Sequence, residues 1–442
     1  MADQAQDAGA TSPSNNVSKL DDERGGAESA PTKVASLEKK RAENPPWKKN
    51  LARTASGQIR KILLNGLVAL RQAPEWRGAL KYDASALTVV LDRCPPWGEG
   101  GSPWVPRLWT DQDDRLLAAW LQHHGIDISD KLASDAAQTV ARERSYHPIR
   151  DYLNGLTWDG AARVSTWLSA YLGADKNPYH NEIGKRWLVS GIARIYKPAI
   201  KADCMLILEG QQGSGKSTAL KVLGGEWFTD EIGELGSKDA AMSIAGRWII
   251  EFGELEEFKG ASLEKLKAFL SRTIDRFRPP YGRSVVDSPR QCIFAGTTNP
   301  EEYLHDSTGN RRFWPVKCGS IDVASLMQDR DQLWAEAKAM YLRGEPWWLE
   351  TKSLQALATA AQNDRFVVDP WEEQAEIFLQ NKRVITVAYL LKRLWKIDLN
   401  LATRKDTVRV AAILRRLGWE RFQKRKMGRQ IRAFRKKTEV VR

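Results

Sequence analysis

Cys204-Met-Leu-Ile-Leu-Glu209, followed at once by Gly210-Gln-Gln-Gly-Ser-Gly-Lys-Ser217, is the stretch that decides the fold. A short apolar run that ends at glycine predicts a buried strand, and candidate strand residues extend from Asp203 to Glu209. After the loop, Thr218-Ala-Leu-Lys-Val-Leu223 predicts a helix that stops at Gly224-Gly225. Strand, glycine loop and helix in this order make a phosphate-binding loop. Its glycines let the backbone turn tightly, so that successive N–H groups and the helix N-terminus face phosphate oxygens. Gly210, Gly213, Ser214, Gly215, Lys216, Ser217 and Thr218 are the expected nucleotide-binding residues. In such a loop Lys216 reaches the β- and γ-phosphates of ATP, and the Ser217 hydroxyl helps hold Mg²⁺.

Two more apolar runs, Arg247–Phe252 and Gln291–Thr298, predict further strands. Leu263, Leu266, Phe269 and Leu270, and then Leu333, Trp334, Ala337 and Tyr341, recur at helical spacing. Alternating strands and helices over residues 147–365 predict an α/β unit with a parallel sheet. The second strand supplies the acids that a phosphate loop needs for its metal and its attacking water. Glu254, at the strand end, is the expected catalytic carboxylate and Glu251 the residue near the metal, with the two roles exchangeable on sequence alone. Glu256 and Glu257 read as a solvated helix start. Asn299 ends the third strand and is placed to hydrogen-bond water or the γ-phosphate, although Asn before Pro300 is also an ordinary turn. In Thr308-Gly-Asn-Arg311-Arg312-Phe-Trp-Pro-Val316 the two guanidinium groups suit an arginine finger acting on a neighbouring subunit, with Arg312 ahead of Arg311. The competing reading is a surface pair packed on Phe313 and Trp314.

Composition bounds the rest. The 442 residues, 42% of them hydrophobic, suffice for two or three domains. No apolar window is long enough to span a membrane and the first residues lack a signal-peptide pattern, so a soluble, cytoplasmic protein is expected. Cys94, Cys204, Cys292 and Cys318 are too far apart for a zinc knuckle or a disulfide framework. Residues 1–46 are small, polar and charged and predict a disordered tail. Residues 47–146 predict a mixed N-terminal domain, aromatic-rich, interrupted at Pro95–Pro103, and without a paired-carboxylate metal motif.

Charge is concentrated at the far end. Residues 381–442 hold 20 Lys and Arg against 4 Asp and Glu, so this stretch carries +16 while the chain as a whole carries +13. Such an excess points to a nucleic-acid partner. Within residues 366–442, helical segments at about Thr386–Trp395 and Asp406–Leu417 precede an alternating stretch, Trp419–Arg435, that turns at Met427-Gly428. Helix, helix and hairpin predict a winged helix-turn-helix. With Asp406 as the cap, Val410, Ile413, Leu414 and Leu417 form the buried stripe. Arg409 and Arg416 then emerge on another face for a DNA groove, while Lys424, Arg425, Lys426 and Arg429 form a wing for phosphates.

Taken together, this order of motifs resembles the virulence-associated E family, phage and genomic-island proteins with a superfamily 3 helicase-like ATPase core. The resemblance runs over about residues 147–350. It rests on His147-Pro-x-Arg-Asp-Tyr-Leu153 with Trp158-Asp-Gly160, the phosphate loop, Trp248–Leu255, Lys267–Arg283, Gly296-Thr-Thr-Asn299 and Arg330-Asp-Gln-Leu-Trp-Ala-Glu-Ala337. It implies an AAA+-like P-loop core and an ATP- and Mg²⁺-dependent DNA helicase or translocase in replication of a phage or mobile element. It further implies a ring, hexameric in form, and a separate primase or polymerase partner. Relatives of this type grip single-stranded DNA with a β-hairpin just before the Asn-bearing strand. The matching stretch is Arg276–Arg290, with Arg278, Tyr281 and Arg283 as contacts, although Pro279 and Pro280 speak against a regular strand there. A nucleotide-switched initiator or regulator, or a defence ATPase, is the alternative for the same core.

Overall fold

The structure, a computed structural model, describes residues 45–98, 103–278, 285–299, 303–304, 309–366, 369–398, 400–426 and 429–436. All of the expected N-terminal tail except Pro45 and Pro46 lies outside the described residues.

The aromatic-rich N-terminal stretch folds as α1 (Leu63–Gln72), β1 (Leu80–Asp83), β2 (Thr88–Leu91), β3 (Arg107–Leu108), α2 (Asp111–His123), α3 (Asp130–Arg142) and β4 (Ser145–Tyr146). The strands form one sheet in the order β3-β2-β1-β4, antiparallel except for the β1–β4 pair. A capping box between Thr110 and Asp113 starts α2, satisfying N–H groups that the first turn leaves without partners. The Ser129 hydroxyl does the same for α3. Trp47 and Trp76 are buried with Leu117, Leu121, Ala133 and Ala137, and Trp76 meets the edges of Trp97 and Trp120. The tryptophans of this region are therefore core packing, each worth a few kcal/mol of burial at roughly 25 cal/mol per Å².

The central unit comprises α4 (Pro148–Gly155), α5 (Trp167–Leu172), α6 (Pro178–Tyr196), β5 (Met205–Glu209), α7 (Lys216–Gly224), β6 (Phe228–Thr229), α8 (Lys238–Ser243), β7 (Ile249–Phe252), α9 (Ala261–Leu270), β8 (Ile274–Phe277), β9 (Val286–Pro289), β10 (Ile293–Thr298), β11 (Phe313–Lys317), α10 (Val323–Leu342) and α11 (Lys352–Asn363). Its five-stranded sheet has the order β11-β5-β10-β7-β6, and every pair in it is parallel. Both faces are covered, which explains why the strands read as unbroken apolar runs rather than alternating ones. Leu206, Leu208, Ile249, Ile293 and Ala295 point into one core with Trp187, Trp248 and Trp334. Met205, Ile207, Ile250, Phe252 and Phe294 point into the other, against Leu266 and Phe269 of α9. At Gly296 a Cβ would sit 2.4 Å from Leu255 Cδ1, so the turn after β7 can lie against β10 only because that position is glycine.

β8 and β9 pair as an antiparallel hairpin. Regular pairing spans Ile274–Phe277 and Val286–Pro289, so the hairpin forms despite Pro279 and Pro280, which fall in the stretch 279–284 outside the described residues. Its base is anchored by the buried Arg290, which pairs with Asp275 at 2.5 Å and stacks 4.2 Å from the Phe269 ring.

The C-terminal unit holds α12 (Pro370–Leu379), β12 (Val384–Ile385), α13 (Val387–Leu394), α14 (Arg404–Arg416), β13 (Trp419–Lys426) and β14 (Arg429–Lys436), with sheet order β12-β14-β13. The cap of α14 is Thr403, not Asp406: Asp406 stands at the third helical position and completes a capping box. The core is Leu390, Leu391, Val410, Ile413, Leu414, Trp419 and Phe434, as the stripe on α14 requires. Among the described residues no helix is long and apolar enough to cross a membrane. All four cysteines are free, and Cys292 is buried.

Candidate functional site

β5 carries the chain to the carboxyl edge of the sheet between Thr298 of β10 and Lys317 of β11, which both register with Glu209. There the backbone turns through Gly210, Gly213 and Gly215 at φ of 153°, 77° and 93°, a region that side chains disfavour. Gly215 is the N-cap of α7. The first helical residue is Lys216, and its buried ammonium donates to the carbonyls of Gly210 and Gln211 at 2.7 and 2.8 Å. Burial pushes Lys216 below its ordinary value, and Glu251 nearby works in the opposite direction. Gly213, Ser217 and Thr218 are exposed around the loop, and Ser214 is half-buried.

Glu251 is buried within β7. One of its oxygens accepts from Ser217 Oγ at 2.6 Å and from Thr297 Oγ1 at 2.7 Å. The other, Oε2, is buried with no hydrogen-bond partner. Asn299, exposed just past β10, has its Oδ1 3.4 Å from Lys216 Nζ. Glu254 follows β7 in an exposed turn, with its backbone in the left-handed region at φ 51°. Glu256 differs from the solvated role expected of it: it is half-buried and accepts from Thr298 Oγ1 at 2.7 Å, next to Asn299. Glu257 is exposed.

Sequence reasoning missed the cluster beneath the loop. Glu209, 2% exposed, receives both arms of Arg365 at 2.9 Å and the Tyr303 hydroxyl at 2.8 Å. Arg365 lies just past α11, and its carbonyl accepts from the N–H groups of Tyr303 and Leu304. A charged residue closing an apolar strand was the available signal, since a buried carboxylate needs a partner.

Arg312 and Arg311 part company. Arg312 is half-buried, donates from Nε to Ser271 Oγ at 2.9 Å and lies 3.5 Å from Asp203. The Arg311 side chain is 70% exposed and reaches Asp203 only at 3.8 Å. Arg278 is exposed where the β8–β9 hairpin leaves regular pairing, and Tyr281 and Arg283 lie outside the described residues.

On α14, Arg409 and Arg416 do not emerge free. Arg409 makes a two-armed pair with Asp369, both contacts at 2.7 Å, and stacks 3.9 Å from the Trp371 ring. Arg416 pairs with Glu372 at 3.1 Å and lies 3.7 Å from the Phe366 ring. Both flank the buried stripe on the side where α12 packs, and the acids that begin α12 take up their charge. Hydrogen bonding to Asp369 holds Arg409 above its ordinary value. Lys424, Arg425, Lys426 and Arg429 all lie on the β13–β14 ribbon, where the Arg425 side chain is exposed; the Met427-Gly428 turn lies outside the described residues.

With this geometry in view, residues 153–367 match the family model described as "Virulence-associated protein E-like domain". The chain carries a virulence-associated protein E-like domain. That domain contains the glycine loop 210–217, Glu251, Glu254, Asn299, Arg311 and Arg312, and reaches just past Arg365. The N-terminal unit and the basic ribbon stand outside it. The chain is similar to the apo structure of the NrS-1 C-terminal region at TM-score 0.45 and 12% identity, covering 81% of this chain and 96% of that one. An A-form apo structure of the same region aligns at TM-score 0.43 and 13% identity, covering 86% and 100%. The comparison with curated proteins returns no match.

Proposed function

We propose that the chain is an ATP-dependent DNA helicase or translocase of a phage or other mobile element, working as a hexameric ring. The observation that carries this reading is the meeting of Lys216, Ser217, Glu251 and Asn299 at one edge of the parallel sheet, with Ser217 Oγ 2.6 Å from Glu251 Oε1. In this reading residues 147–365 are a P-loop motor and residues 366–442 a winged-helix module for DNA.

The glycine loop wraps the triphosphate through backbone N–H groups, and Lys216 exchanges its two carbonyl partners for phosphate oxygens. The Ser217 hydroxyl and the unpartnered Glu251 Oε2 suit Mg²⁺. Among the described residues no group of three or more His, Cys, Asp or Glu could hold a metal, so phosphate and water would complete its shell. Bound there, Mg²⁺ supplies neutralisation of charge on the β- and γ-phosphates. Glu254 orients and deprotonates the attacking water, and Asn299 donates its amide to that water or to the γ-phosphate. An arginine from the adjoining subunit, Arg311 or Arg312, meets the charge that develops in the transition state.

The test is ATP hydrolysis with and without single-stranded DNA, together with strand displacement on a forked duplex. Stimulated hydrolysis with displacement supports the motor. Robust stimulation without unwinding or translocation, under conditions where the ring assembles, sinks it and leaves a nucleotide-switched DNA-binding protein.

A further inference from the structure

The cations of the C-terminal unit divide into engaged and free. Arg409, Arg416, Arg435 and Lys392 are in ion pairs. Arg421, Arg425 and Arg432 on the ribbon are exposed and pair with no acid among the described residues. The strand register sets Gln423 opposite Arg432 and Arg425 opposite Gln430. Residues two apart on a strand share a face, so these four side chains lie together, amide and guanidinium alternating along each strand and across the pair. At the base of the ribbon that same face buries Trp419 and Phe434 against α13 and α14. Beyond the core its described residues, Arg421, Gln423, Arg425, Gln430 and Arg432, are exposed and polar.

We propose that this face reads base edges of duplex DNA, with the β13–β14 ribbon lying in the major groove. The groove, about 12 Å wide, admits a two-stranded ribbon, and the side chains match its code: Arg to guanine O6 and N7, Gln to adenine N6 and N7. The +16 excess over residues 381–442 complements phosphate on either side. A-form RNA is a poor fit because its major groove is too deep and narrow for side chains to read. Single strands are poorly served as well, since among the described residues no exposed aromatic on this face offers a base a stacking platform. The helix is the weaker reader, because Arg409 and Arg416 are already committed to Asp369 and Glu372. The inference rests on the DNA-binding role proposed for this unit and not on the motor.

The experiment uses the full chain and fluorescence anisotropy with a duplex selected from a randomised pool, a random duplex and a single strand of equal length. Arg425→Ala with Arg432→Ala should weaken the selected duplex about tenfold or more and flatten the dependence of affinity on salt. Gln423→Ala with Gln430→Ala should weaken the selected duplex and leave the random one unchanged. Circular dichroism checks that each variant is folded. Wild-type binding by both ribbon variants overturns the inference. So does selection without sequence preference, a preference for the single strand, or loss that follows Arg404→Ala with Arg415→Ala on the outward face of α14 instead. ATP hydrolysis stimulated by single-stranded DNA, measured on the same variants, reports the motor separately, so the two readings fail independently.

Discussion

The hydroxyl of Ser217, at the start of α7, donates to Glu251 in the adjoining strand at 2.6 Å, and the same carboxylate oxygen also accepts from Thr297. One oxygen is thus fixed by two hydroxyls while the other is bare, and the Mg²⁺ role proposed for Glu251 rests on that bare oxygen. Glu251→Gln keeps the shape and the hydroxyl contacts but removes the charge. Nucleotide binding should persist while Mg²⁺-dependent hydrolysis falls by roughly 10² or more. Fluorescent-nucleotide binding set against phosphate release distinguishes the two effects.

Asn299 should behave differently. Its contact with Lys216 is long, 3.4 Å, and the proposed role lies in the transition state. Asn299→Ala should lower kcat by about 10- to 10³-fold with KM for ATP little changed. A rise in KM alone would make it a binding residue.

The contrast between Arg311 and Arg312 predicts separable effects. Removing Arg312 strips Ser271 and Asp203 of a partly buried partner and should cost about 1–3 kcal/mol in thermal or urea unfolding. Arg311→Ala should leave unfolding within about 0.5 kcal/mol. If either acts across a subunit boundary, mixing its alanine variant with Lys216→Ala subunits restores some hydrolysis. Absence of rescue for both would count against action in trans.

The strand, loop and helix around residues 204–224 were legible because three signals coincide: an unbroken apolar run, glycines where φ is positive, and helix-period residues afterwards. β7 and β10 followed from the same apolar pattern. The strands of the N-terminal unit were not legible, since two of them, β3 and β4, are two residues long and its tryptophans carry no period. The engagement of Arg409 and Arg416 was hidden because their acids lie 40 and 44 residues earlier. Those acids stand at the start of α12, Asp369 as its cap before Pro370 and Glu372 in its first turn. Glu209 and Arg365 are 156 residues apart and join only through the tertiary fold.

Acid should loosen the C-terminal unit. Burial would raise Asp369, but the hydrogen bonds from Arg409 and the Trp371 N–H outweigh it and hold the carboxyl below its ordinary 3.8. A folded-state value below the unfolded one adds stability that is present above pH 3.8 and lost as pH falls through the folded value. Unfolding midpoints should therefore drop as the pH is lowered from about 5 toward 2, and Asp369→Asn should be less stable at neutral pH with a shallower fall. Equal slopes for the two proteins would show that the pair contributes nothing.

Arg365 sets where this protein can be cut. It is the counter-charge of Glu209, the last residue before the glycine loop, yet it comes after α11, two residues before the family match ends at 367. A fragment trimmed back to the end of α11 would retain every loop residue and still leave a buried carboxylate and the Tyr303 segment without their clamp. The shortest piece that keeps the central sheet intact must run through Phe366, whose ring already rests under Arg416 of the next unit.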